Sequence, residues 1–141
     1  MKIFVAGGTG AIGRPLIAEL LAKGHALVAL TRSPEKAQAL VEQGVEPAIA
    51  DVFDSDAVKA VVSRAEPEIV IEQLTALPRT YTRESMNAAA AFNNRIRLEG
   101  GANVDRVGRV ICYPDAGAIE KNAARRSISP NPPLELAVLS P

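Results

Sequence analysis

With 141 residues, 48% of them hydrophobic and only 4% aromatic, the chain is long enough for one buried core, and that core is aliphatic. Sixteen basic residues balance sixteen acidic ones, which gives no electrostatic reason to expect a nucleic acid or an anionic membrane as partner. A lone cysteine, Cys112, excludes an internal disulfide; no metal-ligand cluster, leader pattern or membrane-length apolar run is legible, so a cytoplasmic location is the expectation.

The first predicted element is a short buried strand, "KIFVA", residues 2–6. Residues 11–23 follow with Ile12, Leu16, Ile17, Leu20 and Leu21 on one helical face, and Gly24 serves as a left-handed cap. "ALVAL", residues 26–30, is the second strand. Ser33 then caps a helix with Pro34 at its first position and Glu35 in its first turn, running to about Gln43 before Gly44. "EPAIA", residues 46–50, is the third strand, and Asp54 or Ser55 opens a helix to about Arg64. "PEIVIEQL", residues 67–74, is the fourth strand. After the polar loop "TALPRTYTRE" comes a longer helix over 85–104, then "GRVICY", residues 108–113, as a fifth strand.

Strands alternating with helices through short loops predict right-handed βαβ units and a doubly wound parallel α/β sheet, in the order 3-2-1-4-5. Residues 1–113 form that domain. Residues 114–141 are a divergent tail rich in Pro, Ser and Asn; 116–126 reads as a weak helix and "LELAVL", 134–139, as a possible sixth strand, with an unstructured tail as the alternative.

Gly7, Gly10 and Gly13, three apart, lie where the first strand turns into the first helix. Gly7 allows a tight turn, Gly10 lets a pyrophosphate approach the backbone, and Gly13 lets the helix pack closely on the strand. Thr9, Ala11 and Ile12 belong to the same turn, and the helix N-terminus offers free N–H groups and partial positive charge to phosphates. The turn therefore reads as a dinucleotide cradle.

The end of the second strand chooses between cofactors. An NAD site carries an acid there for the ribose hydroxyls, whereas this chain has "TRS", Thr31, Arg32 and Ser33. Arg32 can pair with a 2′-phosphate and the two hydroxyls can bond it, so NADP is favoured over NAD. Asp51 and Val52, ending the third strand, suit the adenine amino group and ring, although Asp51 could instead begin the next helix. Leu74, Thr75 and Ala76, ending the fourth strand, place backbone along the riboses.

These residues resemble the extended short-chain dehydrogenase/reductase superfamily, in particular its NAD(P)-dependent epimerase/dehydratase-like members. The resemblance covers about residues 1–111 and rests on "GGTGAIG", "LTRSPEKAQAL", "ADVFD", "VIEQLTALP" and "RLEGGANV". It implies the cofactor-binding half of an oxidoreductase or sugar-nucleotide-modifying fold. The family's catalytic Tyr-x-x-x-Lys is absent: Tyr81 is followed four on by Ser85 and Tyr113 by Gly117. Pro114 stands where the family has a catalytic hydroxyl, and the family's substrate domain has no counterpart here.

The expectation is therefore a dinucleotide-binding protein without independent catalysis. The alternatives are a reductase or epimerase using non-standard residues, a nucleotide-sensing module, and a truncated product. An uncovered sheet edge further predicts a homodimer or other self-association. Glu72, inside an apolar strand, is expected at that strand's exposed end, His25 on the surface, and Cys112 as a small buried hydrophobe.

Overall fold

A computed structural model describes residues 1–107 and the backbone of 110–112. The elements are β1 (Lys2–Ala6), α1 (Gly13–Ala22), β2 (Ala26–Thr31), α2 (Pro34–Glu42), β3 (Glu46–Ile49), α3 (Ser55–Ala65), β4 (Ile69–Glu72), α4 (Arg83–Arg95), a π-helical turn (Ile96–Gly100), α5 (Gly101–Asp105) and β5 (Val110–Cys112). The strands form a parallel α/β Rossmann-like sheet. β1 pairs with β2 on one side and β4 on the other, β3 flanks β2, and the three residues of β5 pair with β4, so the order is β3-β2-β1-β4-β5. The weak helix over 116–126, the sixth strand over 134–139, and Tyr113 and Pro114 lie outside the described residues.

Side chains of β1 alternate between two cores, as the strand period of two requires. Phe4 and Ala6 face α3 and α5 with Val58, Val62 and Val104, while Ile3 and Val5 face α1 and α2 with Ile17 and Leu40. Phe4, Val5 and Ala6 are wholly inaccessible, which accounts for the unbroken apolar run of a parallel strand covered on both faces.

Local signals set most boundaries. Ser33 caps α2 by accepting from the Lys36 N–H, with Pro34 at the first helical position. Asp54 caps α3 by accepting from Asp56 and Ala57, which settles the start of that helix and leaves Asp51 outside it. Gly24 (φ 77°) and Gly44 (φ 80°) take the left-handed conformation after α1 and α2.

The long helix differs from a single regular element. α4 begins at Arg83, two residues earlier than expected, because Thr82 and Ser85 cap each other reciprocally. It then widens into the π-helical turn before α5. The turn ends where the helix backbone comes up against the β3–α3 loop. A Cβ on Gly100 would lie 3.0 and 3.1 Å from the two Val52 methyls.

Candidate functional site

At the C-terminal ends of β1 to β4 the chain forms a cleft of about 600 Å³, the size of a small-molecule site. Every residue expected at a cofactor position except Gly13 lines it: Gly7, Thr9, Gly10, Ala11 and Ile12; Thr31, Arg32 and Ser33; Asp51 and Val52; Leu74, Thr75 and Ala76. Parallel strand order produces this convergence, because the loops after β1 and β4 emerge side by side where the chain reverses its direction of travel across the sheet.

The glycine turn is built on atoms that are missing. Gly7 adopts φ 91°, and a Cβ there would lie 2.3 Å from the Gln73 carbonyl oxygen at the end of β4. Gly13 lies beneath the turn: its Cβ would lie 2.2 Å from the Gly7 carbonyl oxygen. Gly10 is different. A Cβ there would meet only the Gly7 carbonyl, at 3.3 Å, so that position fronts open space. α2, α3 and α4 begin with capping side chains, whereas α1 has none at Ile12. Arg14 N–H donates to the Gly10 carbonyl at 3.1 Å and Pro15 has no N–H, so it is the N–H groups of Ile12 and Gly13 that are left for a group outside the helix. A glycine face open to the cleft beside an uncapped helix N-terminus fits a pyrophosphate.

At the β2 end the hydroxyls are more committed than the sequence implies. Thr31 is buried and its Oγ1 accepts from the Ser33 N–H at 3.2 Å. The Ser33 hydroxyl accepts from the Lys36 N–H and donates to Glu35 Oε2 at 2.5 Å. Strand β2 itself ends without an acid, yet Glu35 puts a carboxylate one hydrogen bond from this corner. Ser33 and the Glu35 backbone N–H both bond that carboxylate and lower its pKa from the ordinary 4.5. Two cations that the sequence reading passed over also line the cleft, Lys36 and Arg14. Their signal was position: each stands in the first turn of a helix, where a cation opposes the helix dipole. Arg14 Nε additionally donates to the Thr9 carbonyl at 3.2 Å.

The third and fourth loops are held from the α4 side. Asp51 Oδ1 accepts from the Phe53 N–H at 3.0 Å, and the Val52 carbonyl accepts from Asn103 Nδ2 at 2.9 Å. Leu74 N–H donates to Glu72 Oε1 at 2.7 Å, and Ala76 N–H donates to Asn93 Oδ1 at 2.9 Å. Two of the backbone donors expected along the riboses are thus already satisfied within the protein. Glu72 stands at the C-terminal end of β4, half-buried. Phe53, Phe92 and Ile96 complete the wall, with Arg95 4.3 Å above the Phe53 ring. Tyr81, 65% exposed, lines the outer part of the cleft. His25 is half-buried between α1 and β2 and takes no part in the lining. Among the described residues no helix is long and apolar enough to cross a membrane.

Fold and cleft together define a Rossmann-type nucleotide-binding domain. The profile of the NAD(P)H-binding family matches residues 7–118, and the chain belongs to that family. A 3-diazoavenalumate denitrifying reductase from a Streptomyces species is 39% identical over 109 residues, which are 77% of this chain and 34% of the reductase. Among solved structures, a UDP-glucose 4-epimerase of Thermus thermophilus in complex with NAD superposes with a TM-score of 0.61 at 23% identity, over 76% of this chain and 33% of the epimerase. A short-chain dehydrogenase/reductase of Serratia marcescens superposes with a TM-score of 0.58 at 20% identity, over 83% of this chain and 56% of its own. The chain therefore spans about a third of the length of the reductase and the epimerase and about half that of the dehydrogenase/reductase. It is an NAD(P)H-binding domain with a Rossmann-like fold.

Proposed function

We propose that the cleft binds NADP in preference to NAD and that the chain serves as the cofactor-binding part of a reductase or epimerase-like protein. The observation that carries this reading is the open Gly10 face beside the uncapped start of α1. The pyrophosphate lies on residues 10–13, Arg32 and Lys36 meet the 2′-phosphate, Asp51 and Val52 meet the adenine, and the 74–76 backbone follows the riboses. A bound dinucleotide supplies a hydride donor or acceptor; the chain's own residues bind and orient it. Calorimetric titration with NADP and NAD tests the assignment. A charge-assisted phosphate contact contributes about 1.5–3 kcal/mol. Arg32→Ala should therefore weaken NADP binding about tenfold or more and leave NAD nearly unchanged. Equal losses for both cofactors would remove Arg32 from the 2′-phosphate.

A second reading, turnover by this chain itself, draws on Tyr81, which lines the cleft although Ser85 stands where the family has its Lys. NADPH consumption lost in Tyr81→Phe would establish it. Self-association remains part of the proposal. α4 buries none of its residues, and Met86, Phe92 and Leu98 are exposed along the α4–α5 segment. Light scattering should report a dimer, and a monodisperse monomer would end that reading.

A further inference from the structure

We propose that Glu35, which does not itself line the cleft, is a specificity-determining residue for it, one that holds the Ser33 hydroxyl at the cleft edge and opposes a 2′-phosphate there. The chain then separates NADP from NAD less sharply than its cations alone would dictate. This inference rests on the dinucleotide reading above. A serine hydroxyl has one proton to give, and that of Ser33 goes to Glu35 Oε2 at 2.5 Å. The oxygen meanwhile accepts from the Lys36 N–H, which closes the first turn of α2. Ser33 lines the cleft between Arg32 and Lys36, so it occupies the corner where a phosphate on the ribose would have to be recognised. To donate to that phosphate it must abandon Glu35. The carboxylate then faces a dianion with no hydroxyl between them.

The same arrangement costs NAD nothing. A ribose 2′-hydroxyl carries no charge, and it can donate to the Ser33 oxygen while the serine proton stays on Glu35. The corner thus combines two attractive cations with one repulsive anion, and selectivity is set by their difference. Glu35 is solvent-exposed, so its effect is screened, although a unit charge a few ångströms from a phosphate still has a measurable influence in water.

The test is calorimetric titration of the full chain and two variants, Glu35→Gln and Glu35→Ala, with NADP and with NAD. Removing the charge should tighten NADP about threefold in Glu35→Gln, by the Coulomb term in high dielectric, with NAD unchanged. Glu35→Ala also releases the Ser33 hydroxyl and should tighten NADP further. The gain in both should shrink as salt rises. Unchanged or weaker NADP binding with NAD binding intact would overturn the assignment of Glu35 alone. Weaker NAD binding in Glu35→Gln would overturn it too, by making the carboxylate a partner of the ribose hydroxyls. Failure of the unaltered chain to bind either dinucleotide would overturn the cleft reading and this inference together.

Discussion

The two walls of the cleft are constructed in opposite ways. The wall made by the β1–α1 turn owes its shape to atoms that are absent: backbone packs on backbone at Gly7 and Gly13, and Gly10 leaves space for something else. The wall made with α4 and α5 owes its shape to side chains that reach across. Asn93 holds the loop after β4, Asn103 holds the loop after β3, and Arg95 lies over Phe53. The first wall has no freedom to adjust, since an added methyl meets a carbonyl oxygen. The second is assembled from hydrogen bonds and from the half-buried Phe53 ring against a helix that buries nothing of its own over Arg83–Arg95. The comparison predicts a rigid end at the glycine turn and a more adaptable end at the loops after β3 and β4.

The sharpest break in that contrast comes from two valines. In Gly13→Val the new side chain starts 2.2 Å from the Gly7 carbonyl oxygen, and neither backbone can yield without moving β1 against α1. A loss of about 3 kcal/mol is expected, at the upper end for overpacking, read as a lowered urea midpoint. Gly10→Val lies in the turn ahead of α1, meets one carbonyl at 3.3 Å and should lose no more than about 1 kcal/mol, the low end for overpacking. It should nevertheless abolish dinucleotide binding, because the valine fills the open space proposed for the pyrophosphate. If both variants were equally unstable, Gly10 would be a packing glycine like Gly13, and the phosphate reading would lose its main support.

The opposite wall should give by smaller steps. Asn93→Ala removes the acceptor of the Ala76 N–H and leaves a partly buried donor to find water. The cost should be about 1–2 kcal/mol, the range for a lost partner in a partly buried hydrogen bond. The local readout is hydrogen exchange. The Ala76 amide should lose its protection while the amides of β1 keep theirs. Unchanged protection would mean that Asn93 does not hold the loop.

The same two walls were unequally legible in the sequence. The glycine turn was readable because its spacing, its preceding strand and its following helix all express one backbone geometry. The caps at Ser33 and Asp54 were readable for the same reason: their bonds reach two or three residues along the chain. Asn93 and Asn103 were not, because each bond joins positions far apart, Asn103 reaching back to residue 52. Gly100 and Gly101 were absorbed into a regular helix, although adjacent glycines inside a helical pattern are the one local hint of a close approach, here onto Val52. The corner at Arg32 fell between these cases. Its cation is legible, but the sequence marks Glu35 only as a first-turn residue of α2, because its bond to Ser33 depends on a side-chain rotamer that no spacing rule specifies.

That bond also has a pH signature, the smallest of the effects expected here. The Ser33 hydroxyl and the Glu35 backbone N–H both donate to the carboxylate and so favour its charged form, which places the folded-state pKa below the ordinary 4.5. The unfolded chain, where those donors are lost, takes up the proton first as acid is added. By linkage the stabilisation is complete above the unfolded value and disappears as pH falls through the folded one. The favourable placement of a negative charge in the first turn of α2 is lost over the same window. Melting temperatures of the apo-protein and of Glu35→Gln should therefore differ by a constant amount near neutral pH and converge from about pH 5 downward. Glutamine can still accept from Ser33, so the convergence isolates the charge from the hydrogen bond. Parallel profiles down to about pH 3 would show that the carboxylate is no better solvated by Ser33 than by water, and the hold of Glu35 on that hydroxyl would have to be given up.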